Sequence, residues 1–215
     1  MKKVFAYGGV AASVVLIAFG IASIAVGFNG RDEVRSDVAR ENIVGSPDMT
    51  PTATKAAAQE AGLTNIDVPS KSVANEPITT GDESKTFAAY MRIHTLEATG
   101  GLTYAEMGRY QAKAGTPAKL TDGQGGTNDE NQAFIDPKTK QPVSNPARNI
   151  WVTETALTTA LNTSFFAERV AVFSIVMGFA LLLTGIGFLV LTLAGALGAL
   201  PLPQRLTRRT PASVT

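Results

Sequence analysis

Two residues of the chain, His94 and Glu97, have the types and the spacing that could bind a metal ion. On a helix, a separation of three positions places the imidazole and the carboxylate on the same face. A protein metal site needs three or four ligands, and the sequence contains no cysteine and no second histidine. We therefore expect a packed or solvated histidine and predict no metal ion.

The polar segment that begins after Leu120 has residue types that could bind calcium or phosphate, but neither pattern is complete, and the chain also lacks a hydrolytic triad. Its acidic and amide side chains do not have the spacing of an EF-hand loop. Its glycines open no lysine-bearing helix, as a phosphate loop requires. A hydrolytic triad would need His94 as its base, and no Gly-x-Ser-x-Gly motif exists. We predict no catalytic residues and no cofactor. The side chains considered for calcium are Asp122, Asn128, Asp129 and Glu130.

The charge of the chain is low and unevenly distributed. Charged residues make up 17% of the sequence, against about 25% in an ordinary soluble domain. The formal net charge is +1, and no basic stripe is present, so nucleic acid is not an expected partner. The shortage of charge has a local cause, because residues 4–28 and 170–200 contain none.

These two uncharged runs predict transmembrane helices. As helices they would measure about 37 Å and about 46 Å, more than the roughly 30 Å of a hydrocarbon core. A signal peptide is the other interpretation of the first run, but its apolar region would span only about 7–15 residues. We expect an extracytoplasmic segment at 29–169, with residues 1–3 and the tail 201–215 in the cytoplasm of a two-pass plasma-membrane protein. Arginines also flank the outer side, so the charge bias for this orientation is small.

Small residues recur every seven positions along each predicted membrane helix. They permit close backbone approach, through which helices associate in lipid. One interpretation is that these small-residue seams pack the two helices of one chain together. The other is an interface with a second subunit. The seams consist of Ser13, Gly20 and Gly27 in the first helix and Ala171, Gly178, Gly185 and Thr192 in the second.

The outer segment is predicted to be mainly helical, which makes the fold class mainly α. Hydrophobic spacing and capping residues predict helices near 31–42, 52–61, 82–98, 103–112 and 146–169, the last continuing into the membrane. Asp82 is the predicted cap of the third, and a capping box at Thr103 and Glu106 predicts the fourth. Residues 115–145 resemble an irregular loop that is mobile or covered by a partner.

Three aromatic residues of the last helix are candidate contacts with a partner. Trp151 would lie about 28 Å from the membrane edge, too far for an interfacial anchor, and is therefore a packing residue or a partner contact. Phe165 and Phe166 lie near the edge and suit an interfacial belt or a partner contact.

Five stretches of the chain carry recognisable motifs: Phe87-Ala-Ala-Tyr90, Ile93-His94-Thr-Leu-Glu-Ala-Thr-Gly-Gly101, Thr103-Tyr-Ala-Glu-Met107, Ala156-Leu-Thr-Thr-Ala-Leu161 and the run 173–187. These motifs resemble those of a group of uncharacterised actinobacterial proteins with two transmembrane helices. That group often carries the label aromatic ring-opening dioxygenase, an activity that needs iron held by two histidines and a carboxylate. Because this chain has one histidine, the resemblance implies an architecture and an actinobacterial plasma membrane but no activity.

These features predict a non-enzymatic membrane protein that acts by assembly. It would be an accessory or structural subunit of a membrane complex, or a homo-oligomer. Its expected partners are the lipid bilayer and either other membrane subunits or copies of itself. The alternative is an extracytoplasmic ligand-binding or sensing module, although the predicted cytoplasmic tails are too short to signal alone.

Overall fold

The structure is a computed structural model that describes residues 2–197, and it is mainly helical, as predicted. The four α helices are α1 (Lys2–Arg40), α2 (Pro51–Glu60), α3 (Gly81–Ala98) and α4 (Pro146–Leu197). Strands β1 (Tyr110–Gln111) and β2 (Gly126–Thr127) pair antiparallel, and short 3₁₀ turns lie at Ala118–Leu120 and Glu130–Gln132. The predicted tail 201–215 and the end of the second predicted membrane run lie outside the described residues.

The chain forms two compact units. In one, the part of α1 up to Asn29 packs with the part of α4 from Ala171 onward. Both helices are long and apolar enough to cross a membrane. Only 11% of the most apolar window of each helix is buried, whereas the core helix of a soluble protein is mostly buried. Phe19, Val26 and Leu191 are among the large apolar side chains left exposed, a surface that suits lipid.

The other unit, Gly30–Val170, has its core where α3 meets the end of α1 and the segments around α2. The side chain of Tyr90 is fully buried at its centre, and its hydroxyl donates to the Lys71 carbonyl oxygen at 2.8 Å. The segment before α2 and the segment before α3 are joined by backbone hydrogen bonds such as Ile78 to Ile43. The buried members of the core are Val38, Met49, Val73, Ile78 and Tyr90.

Helix α3 begins at a different cap from the one predicted. Thr80, not Asp82, is the N-cap: its hydroxyl oxygen accepts from the Glu83 amide at 3.3 Å. The Glu83 carboxylate accepts from the Thr80 amide at 2.9 Å, which completes a capping box. The prediction was wrong because Thr80 offers the full Thr-x-x-Glu pair, whereas Asp82 has no such partner.

The helix predicted at 103–112 does not form. The Glu106 carboxylate does accept from the Thr103 amide at 2.7 Å, but this contact closes only a turn. The Gly108 amide donates instead to the Asp122 carboxylate, and the Gln111 amide donates to the Val143 carbonyl oxygen. Partners distant in sequence therefore take the amide hydrogens that a helix would have used, and the chain becomes strand β1.

Residues 115–145 are largely irregular, as predicted, with only strand β2 and the two 3₁₀ turns, and Asp122 organises part of this segment through hydrogen bonds. Its carboxylate accepts from the amides of Gly108 (2.8 Å), Gln124 (2.9 Å) and Gly126 (2.8 Å). Burial raises the pKa of Asp122, but these backbone hydrogen bonds outweigh burial and hold it below its ordinary value. Asn145 closes the segment by donating to the Gly108 carbonyl oxygen at 3.0 Å.

Candidate functional site

Helix α4 has one face that packs against the rest of the Gly30–Val170 unit. Trp151, Glu154, Leu161 and Glu168 are all buried there, at spacings that place them on one side of a helix. The helix starts as predicted, because the Asn145 side-chain oxygen accepts from the Ala147 amide at 3.1 Å. This face fixes which residues of α4 point outward.

Trp151 packs within its own chain, which favours the packing interpretation over a partner contact. Its side chain is 3% exposed, and its indole N–H donates to the Leu102 carbonyl oxygen at 2.8 Å. The Arg92 guanidinium lies 5.0 Å from the centre of the ring. The turn after α3 covers Trp151 because Gly100 and Gly101 reverse the chain there, a contact distant in sequence.

The opposite face of α4, from position 149 to 167, is exposed and carries no charged side chain. The only ionisable residue in this stretch is Glu154, which is buried. A helix face in water ordinarily carries charged residues. This exposed surface is about 28 Å long, and we call it the uncharged face. Its exposed members are Asn149, Ile150, Val152, Thr153, Thr155, Ala156, Leu157, Thr159, Ala160, Asn162, Thr163 and Phe166.

A groove lies beside the uncharged face. Tyr104, which is 45% exposed, lines this groove, and the Arg148 guanidinium lies 3.9 Å from the centre of the Tyr104 ring. Trp151 also lines the groove. The remaining lining residues, Val152, Thr155, Ala156 and Thr159, belong to the uncharged face.

The two phenylalanines near the predicted membrane edge have different surroundings. Phe166 is 67% exposed and belongs to the uncharged face. Phe165 is half-buried, with the Lys85 ammonium 4.5 Å and the Arg169 guanidinium 5.0 Å from the centre of its ring. Phe166 is thus available to a partner or lipid, whereas Phe165 is already covered by two cations.

Glu168 joins three segments of the Gly30–Val170 unit. Its carboxylate accepts from the Gly81 amide at 2.7 Å, from Arg35 Nε at 2.7 Å and from Arg31 Nε at 3.2 Å. Burial raises the pKa of Glu168, but the hydrogen bonds from Gly81, Arg35 and Arg31 outweigh burial and lower it below its ordinary value. The ionised carboxylate therefore holds α1, α3 and α4 together.

His94 and Glu97, the pair first considered for metal chemistry, lie close together on α3. His94 Nδ1 lies 3.4 Å from Glu97 and 3.8 Å from Asp48. Among residues 2–197, no group of three histidine or acidic side chains could hold a metal ion. Asp129 caps a 3₁₀ turn, and the Asn128 side chain accepts from the Arg109 amide. The side chains of Asn128 and Asp129 therefore accept hydrogen bonds from backbone amides of the chain.

The two small-residue seams contact each other in the unit formed by α1 up to Asn29 and α4 from Ala171 onward. A Cβ atom added at Gly20 would lie 2.8 Å from the Gly178 carbonyl oxygen, and one at Gly27 would lie 2.8 Å from that of Ala171. A Cβ atom at Gly185 would lie 3.0 Å from the Ile17 amide nitrogen. Ser13 is fully buried, and Thr192 lies against Gly9. The seams therefore pair α1 with α4 in the same chain.

Gly178 and Gly187 offer a matched test of this pairing. Gly187 has no neighbouring atom within 4 Å of an added Cβ, so only leucine at 178 should separate the helices. We expect Gly178→Leu to destabilise the protein by about 2 kcal/mol, and Gly187→Leu to have little effect. The midpoint of thermal unfolding of the full chain in mild detergent measures both. Equal midpoints would show that the seam does not hold the helices together.

Sequence reasoning missed Glu168 and the uncharged face. The face left a signal, since positions 149–167 contain one acidic residue and no basic residue. That signal depends on knowing that Glu154 points inward. No sequence signal connects Glu168 with Gly81, because the two are joined only by the packing of α4 on α3.

Comparisons of the chain with models of protein families, with curated proteins and with solved structures find no significant match. Function must therefore be inferred from the residues themselves.

Proposed function

We propose that this chain is a non-enzymatic, two-pass membrane protein that acts by assembly, with the uncharged face of α4 as its partner surface. It would serve as an accessory subunit of a membrane complex or as a homo-oligomer in a bacterial plasma membrane. Both termini would lie in the cytoplasm, and residues 29–169 would lie outside. The observation that carries the proposal is an exposed helix face about 28 Å long without a charge.

The composition of this face resembles that of a protein interface. Interface cores are depleted in charged residues. Val152 and Phe166, two heptads apart on the same side of α4, are 55% and 67% exposed, so large apolar groups are in contact with solvent. Alanines and threonines between them leave room for a second helix to approach. A partner covering the face would remove apolar area from water without having to desolvate a charge.

Support for a membrane location comes from the apolar parts of α1 and α4. Their large side chains are exposed, while their small residues face each other. In lipid this arrangement is stable, since the outward side chains contact acyl chains and the small residues permit close packing. Because the seams are used within the chain, a partner is expected elsewhere, and the uncharged face provides that surface.

Site-specific photo-crosslinking tests the proposal, and the absence of cysteine makes each single-cysteine variant unambiguous. A benzophenone maleimide attached to Thr159→Cys in native membranes should give protein adducts in high yield. Lys55→Cys, on the exposed side of α2, is the control and should give several-fold less. An adduct of twice the chain mass would indicate a homo-oligomer, and other masses an accessory role.

A second variant separates specific docking from random collision. Val152→Glu places a charge on the uncharged face, seven residues from Thr159 and therefore on the same side of α4, at a position that is 55% exposed and does not belong to the packed side. In the Thr159→Cys background it should abolish the adducts while leaving the unfolding temperature unchanged. Adducts that persist at equal yield, or that form equally from Lys55→Cys, would refute the uncharged face as the partner surface.

A further inference from the structure

A separate groove of the Gly30–Val170 unit gathers cations from three segments. Lys71 belongs to the segment before α3, Lys85 to α3 and Arg169 to α4, and all three line the same groove. Asp67 and Asp82 also line it, and Asp82 forms an ion pair with Arg169. Three cations and two carboxylates leave the groove with a net charge of +1.

Two of these cations are positioned by an aromatic ring. Lys85 and Arg169 both lie over Phe165, at 4.5 Å and 5.0 Å from its centre. Among residues 2–197, no carboxylate forms an ion pair with Lys71 or Lys85. Their ammonium groups therefore have hydrogen-bond donors to offer an anion.

The lining of the groove is partly apolar. The Lys71 backbone is held by the hydroxyl of buried Tyr90, at 2.8 Å. Val68, Pro69 and Ala89 line the groove beside Phe165 and provide apolar surface next to the cations. A ligand that matches this lining has one negative charge beside a carbon skeleton, as a phosphodiester joined to glycerol has.

The position of the groove in the sequence points to lipid as the source of that phosphodiester. Arg169 directly precedes the uncharged run 170–200, so in a two-pass protein it lies at the level of the headgroups. We propose that this groove binds the headgroup of an anionic phospholipid, its phosphate between Lys85, Arg169 and Lys71. The inference depends on the membrane location proposed above but not on assembly.

Native mass spectrometry of the full chain in mild detergent tests this site. With matched acyl chains, phosphatidylglycerol should be retained more strongly than phosphatidylcholine, which has the same phosphate but no net charge. Lys71→Gln with Lys85→Gln should weaken phosphatidylglycerol binding by more than tenfold, because each surface cation contributes about 1 kcal/mol, or about fivefold. The control pair, Lys55→Gln with Lys119→Gln, removes two exposed lysines outside the groove and should have no effect.

Three results would overturn the proposal. One is equal retention of the two lipids, and another is equal binding by the groove variant and the control pair. The third is that soluble glycerophosphoglycerol binds as tightly as the lipid, which would make the groove a site for a free phosphodiester. A monomer that retains phosphatidylglycerol selectively would refute assembly while supporting this site, so the two failures are distinguishable.

Discussion

Replacing Glu168 with alanine is expected to lower the free energy of unfolding of the Gly30–Val170 unit by about 3 kcal/mol. The substitution leaves Arg31 and Arg35 without the carboxylate that pairs with both, and it leaves the buried Gly81 amide without an acceptor. Fluorescence of Trp151, the only tryptophan, reports on this unit because the ring is buried in it. Thermal unfolding of the full chain in mild detergent is the measurement.

An exposed ion pair provides the control for this effect. Asp37 pairs with Arg40, and its side chain is 59% exposed, so Asp37→Ala should change the unfolding midpoint little. If the unfolding midpoint fell as little in Glu168→Ala as in Asp37→Ala, the Glu168 carboxylate would not join the three helices.

The stabilisation by Glu168 should also depend on pH. Its folded-state pKa lies below the ordinary value of 4.5, so its contribution is complete above that pH. The contribution is lost as the pH falls through the lower, folded-state pKa. Glu168→Gln removes the titrating group, and the difference in stability between wild type and variant should therefore shrink on acidification. A difference that stays constant down to pH 3 would contradict this account.

Replacing Gly108 with alanine is the second change with a large expected effect. An added Cβ would lie 2.1 Å from the Thr127 amide nitrogen and 2.5 Å from the Gly126 carbonyl carbon. Both are backbone atoms of β2, so the strand itself must move. We expect a loss of about 3 kcal/mol and disruption of the pairing between β1 and β2.

Hydrogen exchange locates this disruption. The amides of Gln111, Ala112 and Lys113 donate to distant backbone carbonyl oxygens in the folded segment and should lose protection in Gly108→Ala. Gly115→Ala is the control: no atom lies within 4 Å of the added Cβ, and only its positive φ costs about 1 kcal/mol. Unchanged protection in Gly108→Ala would refute the close approach of β1 and β2.

The sequence predicted correctly those features that depend on interactions between residues close together in the chain. Helix α4 begins where Asn145 and Pro146 predict it, because a cap acts over three residues. The helix expected at 103–112 has a local capping contact, yet its amides are taken by Asp122 and Val143, which lie far along the chain. No local pattern reveals that competition.

The candidate site shows the same limit. Small residues spaced seven apart, such as Gly20 and Gly27 in α1, identify the surfaces through which α1 and α4 contact each other. This spacing alone does not say whether the contacting helix belongs to the same chain. The turn after α3 covers Trp151, and because that turn is 49 residues away in sequence, no local pattern distinguishes a packing residue from a partner contact at this position. The uncharged face could not be predicted from the sequence, because only the structure shows that Glu154 is buried on the packed side of α4.

The mass of the protein extracted from native membranes tests assembly through the uncharged face most directly. We predict that the tagged wild-type chain, in native nanodiscs, has a mass well above that of one chain, either a multiple of it or a fixed ratio with another membrane protein. Val152→Glu, folded as judged by Trp151 fluorescence, should have the mass of a single chain. A wild-type protein that is already a single chain, or a Val152→Glu variant that keeps the larger mass, would contradict this account.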